Sequence, residues 1–425
     1  MRELYIHYNE ILVSTIQEDS DGVLNLNYSA SWLEAIHAFP LSLALKLRKE
    51  SYRGKVVTAF FENLLPEGEQ RRQIENLAHL PSSDDLAFLE RFGEDCAGAF
   101  TVSKLPIIAH PDSRRVKELE ITYEAIEASI LEGKSVQYAF DAGRELPPFS
   151  LAGAQAKFPC IVRGESIVLP RSGEPTTHII KLPIRAGEKL LDSVENEFLC
   201  MQLASKSGLS VPKVKLLGKK MPLFAVERFD RTGTVDGIHR LHTQDLCQAL
   251  GRPSKEKYER HGGPTFAECY ALLRDNSSRI PADVLSLLDW VGFNLAIGNN
   301  DSHAKNVSLI YEASGLCLAP YYDLICTALY SQYSPHFAFR IGEVSSWDKV
   351  SYKQLETFAK NIGVTVALIV RRWQALFERM EAALQMLLAD YGKDSRLNKT
   401  LGKIAKEVLK RIASLQKNLE KKGKR

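Results

Sequence analysis

The sequence predicts an α+β chain: a small β-rich module, then a strand-rich lobe with one helix, then a larger, mostly helical lobe. Three observations predict it. Near the N-terminus apolar and polar residues alternate with period two, as in Leu24-Asn25-Leu26-Asn27-Tyr28, the period of a half-buried strand. From Ser150 short strand-like runs broken by Gly and Pro take over. Beyond residue 240 apolar residues recur at three-and-four spacing, the mark of helices with one buried face.

Taken in order, Leu4 to Tyr8 and Glu10 to Ile16 read as strands across a short polar break. Ala59 to Gly68 leads into a polar helical segment from Gln70. Residues 118–134 read as a short helix before the turn-rich Arg144-Glu145-Leu146-Pro147-Pro148-Phe149. Strands at Lys157 to Val162 and Ser166 to Pro170 flank Arg163-Gly164-Glu165, and Thr177 to Leu182 is the next strand. A helix from Ser193 to Ser207 should end at Gly208, which suits a left-handed cap. Leu223 to Phe229 is a further strand, and helices follow at 281–298, 351–361 and 365–390. The resulting division is 1–110 (β-rich module), 111–230 (strand-rich lobe), 231–395 (helical lobe) and 396–425 (tail). The tail carries eleven Lys/Arg against Glu407 and Glu420. Leu401, Ile404, Val408, Leu409, Ile412 and Leu415 give it an apolar stripe, so it reads as a docked amphipathic helix fraying at Lys421 to Arg425, with contact to nucleic acid or an acidic partner as the other reading.

Composition narrows the function. A length of 425 residues implies two to three domains, and 45% hydrophobic with 25% charged residues is ordinary globular usage. The net charge of +3 is too small to argue for nucleic acid. No apolar run approaches the roughly 20 residues of a membrane span, and Met1 to His7 lacks a secretory pattern. The seven cysteines are scattered without a Cys-x-x-Cys pair, which argues against a zinc or redox site and for thiols buried in a reducing, cytoplasmic protein.

The chemistry is concentrated in Gly298-Asn299-Asn300-Asp301-Ser302-His303-Ala304-Lys305-Asn306. Phosphoryl transfer needs a carboxylate to orient the acceptor hydroxyl and an amide oxygen for magnesium, spaced Asp-x4-Asn in protein kinases. Asp301 and Asn306 have that spacing, and Lys305 between them could neutralise the moving phosphate. By itself the pattern is also that of a polar loop capping a helix. A second magnesium carboxylate is expected after a hairpin, and Asp323 stands there in Tyr321-Tyr322-Asp323-Leu324. Upstream, Ser150-Leu151-Ala152-Gly153-Ala154-Gln155-Ala156-Lys157 is rich in small residues that let backbone N–H groups approach phosphate, although a plain β-turn would look the same. Lys181 at a strand end suits the α/β-phosphates or simple solvation, and Glu197 on the next helix is the preferred ion-pair partner over Glu195. The strand through Glu227-Arg228-Phe229 would hold adenine through its backbone.

Together these residues resemble the HipA family of toxin kinases. The resemblance rests on Ser150 to Lys157, Glu227 to Arg231, His242 to Gly251, Asn300 to Ser308, Ala319 to Leu324, Asn63 to Gly68 and Gly93 to Ala99. It implies a two-lobed protein-kinase-like fold, with ATP and Mg2+ as cofactors. It implies serine/threonine phosphorylation of a cellular protein such as an aminoacyl-tRNA synthetase, growth arrest, and neutralisation by a HipB-like helix-turn-helix antitoxin on operator DNA. Carried over, Asp301 is catalytic and Asn306 and Asp323 hold magnesium. ATP is lined by Ala152, Gly153, Ala154, Gln155, Ala156, Lys157, Lys181, Glu227, Arg228, Phe229, His303, Lys305, Asn306, Tyr322 and Asp323. Ser150 is the autophosphorylated serine. Ser302 and Cys326-Thr327 depart from the family pattern without removing a ligand. A small-molecule or lipid phosphotransferase, or a non-catalytic operator-bound corepressor, are the competing readings.

Overall fold

The computed structural model describes residues 2–107, 119–132, 151–153, 155–170, 174–186, 189–218, 220–234 and 237–420. The chain divides into two compact units, Met1–Ile184 with Leu217–Ser254, and Arg185–Leu216 with Lys255–Arg425.

The first unit opens with a five-stranded antiparallel sheet of order β4-β3-β2-β1-β5: β1 (Glu3–Tyr8), β2 (Ile11–Glu18), β3 (Leu24–Tyr28), β4 (Tyr52–Arg53) and β5 (Phe100–Ser103). Alternation works as expected: Leu24, Leu26 and Tyr28 are buried and the asparagines between them are not. Between β3 and β4 lies the short α1 (Ala30–Leu33), capped by the Ser29 side chain. Between β4 and β5 lie α2 (Lys55–Glu62), α3 (Gly68–Leu77) and α4 (Asp85–Phe92). The helix expected at 118–134 is shorter. Leu119–Ile121 is strand β6, because it pairs with Ile167 to Leu169, and Thr122 then caps α5 (Tyr123–Leu131) by accepting from Ala125 N–H at 3.2 Å. Strands β7 (Lys157–Arg163), β8 (Ser166–Leu169), β9 (His178–Lys181) and β13 (Leu223–Glu227) join β6 in the order β13-β9-β7-β8-β6. The hairpin β14 (Arg231–Thr234) and β15 (Gly237–Arg240), then β16 (Thr243–Asp245) and α7 (Leu246–Ala249), complete the unit. A capping box between Asp245 and Gln248 starts α7.

The second unit begins with the small hairpin β10 (Arg185–Ala186) and β11 (Lys189–Leu190), helix α6 (Ser193–Lys206) and β12 (Val214–Leu217). Gly208 closes α6 as expected: its N–H donates to Ser205 O at 3.0 Å and Leu209 N–H to Ala204 O at 3.0 Å, with Gly208 at φ +88°. Helices α8 (Phe266–Asn276), α9 (Ile280–Ile297), α10 (Tyr352–Ile362), α11 (Val366–Tyr391) and α12 (Asn398–Glu420) make the core, with the hairpin β17 (Ser308–Glu312) and β18 (Gly315–Leu318) between α9 and α10. Among the described helices α9 alone is long and apolar enough to cross a membrane, and 72% of it is buried in the protein. All seven cysteines are buried free thiols.

The basic tail is α12, packed on α11, α9 and α6. Leu401, Ile404, Val408, Ile412 and Leu415 are buried as the stripe required, but Leu409 is 41% exposed. At 100° per residue it falls on the flank of that stripe. Lys421 to Arg425 lie outside the described residues.

Candidate active site

In the second unit α9 ends at Gly298, φ +73°, where a Cβ would stand 2.8 Å from Ala328 Cβ and 2.9 Å from the Arg411 guanidinium. Only glycine fits this turn. Gly298 O accepts from Ala328 N–H at 3.0 Å and from the Thr327 hydroxyl at 3.1 Å. The same hydroxyl accepts from Asn300 N–H at 2.8 Å. Asn299, 1% exposed, donates from Nδ2 to Asn294 Oδ1 at 2.9 Å and to Asp323 O at 3.1 Å, while its Oδ1 accepts from Asp301 N–H at 3.2 Å. Amide and hydroxyl groups therefore tie the Asp301 loop and the Asp323 loop into one piece.

Asp301 O accepts from His303 N–H at 2.9 Å and from Asn306 Nδ2 at 3.4 Å. The second bond uses Nδ2, so Oδ1 is the end of the Asn306 amide that could ligate a cation. Asp323 sits at φ +54°, a left-handed conformation that costs a non-glycine residue roughly 1–3 kcal/mol and clusters at functional sites. One amide oxygen and one carboxylate are hard donors, which fit magnesium completed by phosphate and water oxygens. Burial pushes the Asp301 carboxyl up, and Asp323 adds to the effect; the Tyr258 hydroxyl, Lys257 and Arg260 oppose it. Tyr258 donates to Asp301 Oδ1 and packs edge-on against His303 at 5.0 Å. His303, Lys305 and Asn306 are buried beside Asp301 in sequence. Tyr322 turns its hydroxyl onto Lys305 O at 2.6 Å and Ser308 Oγ at 2.7 Å, so that group braces the segment after Asp301. Glu197 is buried on α6. Its neighbour Asn196 clamps Cys326, accepting its N–H at 2.9 Å and donating to its O at 3.0 Å.

In the first unit Lys157 and Lys181 are direct register partners across β7 and β9, and both are buried. Cross-strand partners stand about 4.5–5.5 Å apart at Cβ, where like charges repel. The register therefore puts both buried lysines on the same face of the sheet, on adjacent strands. Gly153 lies over Lys157: at φ +107°, a Cβ there would come within 2.5 Å of Lys157 Nζ. Gln155 donates from Nε2 to Leu182 O at 3.0 Å, and Leu182 N–H donates to Ala156 O at 3.1 Å. Ala152, Gly153 and Gln155 are half-buried and Ala156 is exposed. Ser150 and Ala154 lie outside the described residues.

Of the expected hinge residues, Glu227 and Phe229 are half-buried at the end of β13. Arg228 between them is buried. Its N–H donates to Thr177 O at 2.9 Å, and its buried guanidinium serves Asp230 at 2.8 and 3.0 Å, Asp95 at 3.0 Å and Cys96 O at 2.9 Å. Its side chain is structural. Arg231 also reaches Asp95 at 2.8 Å. Burial alone would raise both carboxyls, but Arg228 and Arg231 beside them hold Asp95 and Asp230 below the usual range.

A model of the HipA-like C-terminal domain matches residues 149–387, and one of the HipA N-terminal domain matches residues 4–103. The chain belongs to the HipA family. It is accordingly a HipA-type serine/threonine kinase. It is 37% identical over 408 residues to the Y4mE protein of Sinorhizobium fredii, covering 94% of this chain and 96% of that one. It is 26% identical over 399 residues to the serine/threonine-protein kinase toxin HipA of Shewanella oneidensis, covering 90% and 88%. The HipA fold is also seen in a solved Shewanella oneidensis complex of HipA, HipB and operator DNA, with TM-score 0.82 and 23% identity over 97% of this chain and 99% of that one.

Sequence reasoning missed Tyr258, Asn299, Thr327 and Asn196 as site residues. Tyr258 is 43 residues from the carboxylate it touches, and no spacing rule spans that distance. Asn299 sat inside the quoted motif, and an amide beside a left-handed helix end was the signal that could have found it.

Proposed function

We propose that this HipA-family kinase moves the γ-phosphoryl group of ATP to a serine or threonine hydroxyl of a cellular protein, as the toxin of a toxin–antitoxin pair. The observation that carries the reading is the anchored carboxylate Asp301, one hydrogen-bonded turn from Asn306 and tied through Asn299 to Asp323. Asp301 orients the acceptor hydroxyl and takes its proton as the new P–O bond forms and the bond to ADP breaks. Lys305 lies between the acid and the amide and balances charge on the group in transit. Asn306 and Asp323 would hold magnesium, which when bound neutralises the phosphate oxygens. Lys157 and Lys181 hold the anionic part of the nucleotide, and the backbone at Glu227 and Phe229 holds adenine.

The partner follows from the Shewanella HipA, whose solved complex contains HipB and operator DNA. A HipB-like helix-turn-helix antitoxin is proposed here too, with DNA reached mainly through it. An aminoacyl-tRNA synthetase is the proposed class of acceptor, growth arrest the outcome, and the cytoplasm the location. The test is to incubate the protein with labelled ATP, magnesium and host lysate, beside Asp301→Asn. A labelled protein band is expected with the wild type and loss of about 10²-fold or more with the variant. Equal labelling by both would refute the role of Asp301. Label on small molecules alone would refute the protein acceptor.

A further inference from the structure

The motif Asn63-Leu64-Leu65-Pro66-Glu67-Gly68 belongs to the N-terminal module, and the chemistry assigned above gives it no task. In the first unit it lies against the loop of small residues. Pro66 forms an isolated parallel β-bridge with Gly153. Glu67 N–H donates to Gly153 O at 3.0 Å. One turn into α3, Gln70 donates from Nε2 to Lys157 O at 2.9 Å. A carbonyl oxygen only accepts, so this bond fixes which end of the Gln70 amide faces Lys157. Asn63 anchors the turn from behind, donating to Ala59 O at 2.7 Å and Arg252 O at 2.9 Å.

We infer that the turn Pro66 to Gln70 is a latch that sets the position of the phosphate-holding loop, with Gln70 as the positioning residue for Lys157. The inference rests on the reading of Gly153 to Lys157 as that loop. Three features support it. Gln70 is 4% exposed, and its Oε1 has no hydrogen-bond partner among the described residues. A buried amide with an unmatched carbonyl is an unfavourable choice for packing alone; the bond to Lys157 O gives it a reason. Both hydrogen bonds end on backbone atoms of the loop, so they fix its path whatever its side chains do. Finally, they hold the residues at the two ends of the arch, Gly153 over the lysine ammonium and Lys157 at the start of β7. The N-terminal module thereby acts on nucleotide affinity without contributing a side chain to the nucleotide.

The test uses the full chain and compares wild type with Gln70→Leu, Gln70→Glu and Lys157→Ala. Leucine removes the donor at similar volume; glutamate keeps the shape and cannot donate when ionised. Dissociation constants are measured for ATP and for adenosine, which lacks the phosphates. Both Gln70 variants are expected to weaken ATP about 2- to 10-fold, the span of one neutral hydrogen bond, and to leave adenosine unchanged. Amide exchange at residues 151–157 should quicken. KM for ATP should rise with kcat little changed. Unchanged ATP affinity in both Gln70 variants, with loss in Lys157→Ala, would overturn the latch and spare the phosphate loop. Unchanged affinity in Lys157→Ala would overturn the loop reading itself. Equal loss for ATP and adenosine would reduce Gln70 to a packing residue and also overturn the latch. Should Gln70→Leu fail to fold, the isosteric Gln70→Glu decides alone.

Discussion

Two buried polar networks hold the two units together internally, and they are built from opposite materials. In the first unit Asp95, Arg228, Asp230 and Arg231 form an ionic cluster with almost no exposure. In the second, the segments around Asp301 and Asp323 are joined by Asn196, Asn294, Asn299 and Thr327, all neutral. The difference suits the roles proposed for Asp301 and Asp323. A carboxylate that serves as a proton acceptor or cation ligand loses that capacity once an arginine is bonded to it. Neutral amides and a hydroxyl fix the backbone of Asp301 and Asp323 without bonding an arginine to either carboxyl in these contacts. The first unit has no such constraint at its cluster and spends its carboxylates on structure.

The largest effect that would break this comparison is expected at Arg228. Arg228→Met removes one member of a buried cluster and leaves Asp95 and Asp230 short of a partner. A loss of about 3–5 kcal/mol is expected, measured by denaturant unfolding of the full chain. A loss under about 1 kcal/mol would mean that Arg231 and Arg240, the latter 3.2 Å from Asp95, suffice for both carboxylates.

Acid should separate the units next. Burial depresses the His242 imidazole to about 4 in the first unit, where its Nε2 bonds Leu41 O at 2.9 Å and its ring lies 4.3 Å from Phe100. The folded value lies below the unfolded one near 6.5. The stability from the neutral ring is therefore complete above pH 6.5 and is lost as pH falls towards 4. On the order of 2–3 kcal/mol is at stake. The melting temperature of His242→Gln should fall less steeply than that of wild type between pH 6.5 and 4. Parallel curves would count against a neutral buried ring.

In the neutral network, Asn299→Ala unties Asp323 O and Asp301 N–H together. A stability loss of about 1–3 kcal/mol is expected, with a larger proportional loss of phosphoryl transfer than of ATP binding. Loss of both in equal measure would make Asn299 a packing residue instead of the brace between the two loops.

These contrasts mark what the sequence could and could not convey. Asp301, Asn306 and Asp323 could be picked out because the roles proposed for them demand fixed residue types in fixed order. Strands β1 to β3 and helices α9 to α11 were legible from the pattern of apolar residues, whereas the short β4 and β5 were not. Tyr258 and Gln70 were not, since their hydrogen-bond partners lie 43 and 87 positions away, and the bond from Asn299 to Asp323 O spans 24; such partners are set by tertiary packing. Arg228 was read as a hinge residue because its neighbours are; only its contact with Asp95, 133 positions away, shows that its side chain belongs to the ionic cluster.

The smallest expected effect lies on α12, the densely basic helix of the unit whose network around Asp301 is neutral. Its charges could disturb that economy if they faced inwards. Arg411, 4% exposed, reaches Leu295 O at 3.4 Å, but it is paired with Glu407 at 2.7 Å on its own helix. The remaining lysines stand on the other side of the stripe, and Leu409 marks the boundary: it is 41% exposed while Val408 and Ile412 beside it are fully buried. An exposed side chain that touches little contributes little, and surface changes of this kind usually stay within about 0.5 kcal/mol. Leu409→Gln is therefore expected to leave the unfolding midpoint and phosphoryl transfer unchanged, as read by thermal melting and labelled ATP. A marked loss of melting temperature would show that the stripe extends round the helix to Leu409. A loss of transfer with melting unchanged would mean that this flank takes part in phosphorylation through something other than the packed stripe.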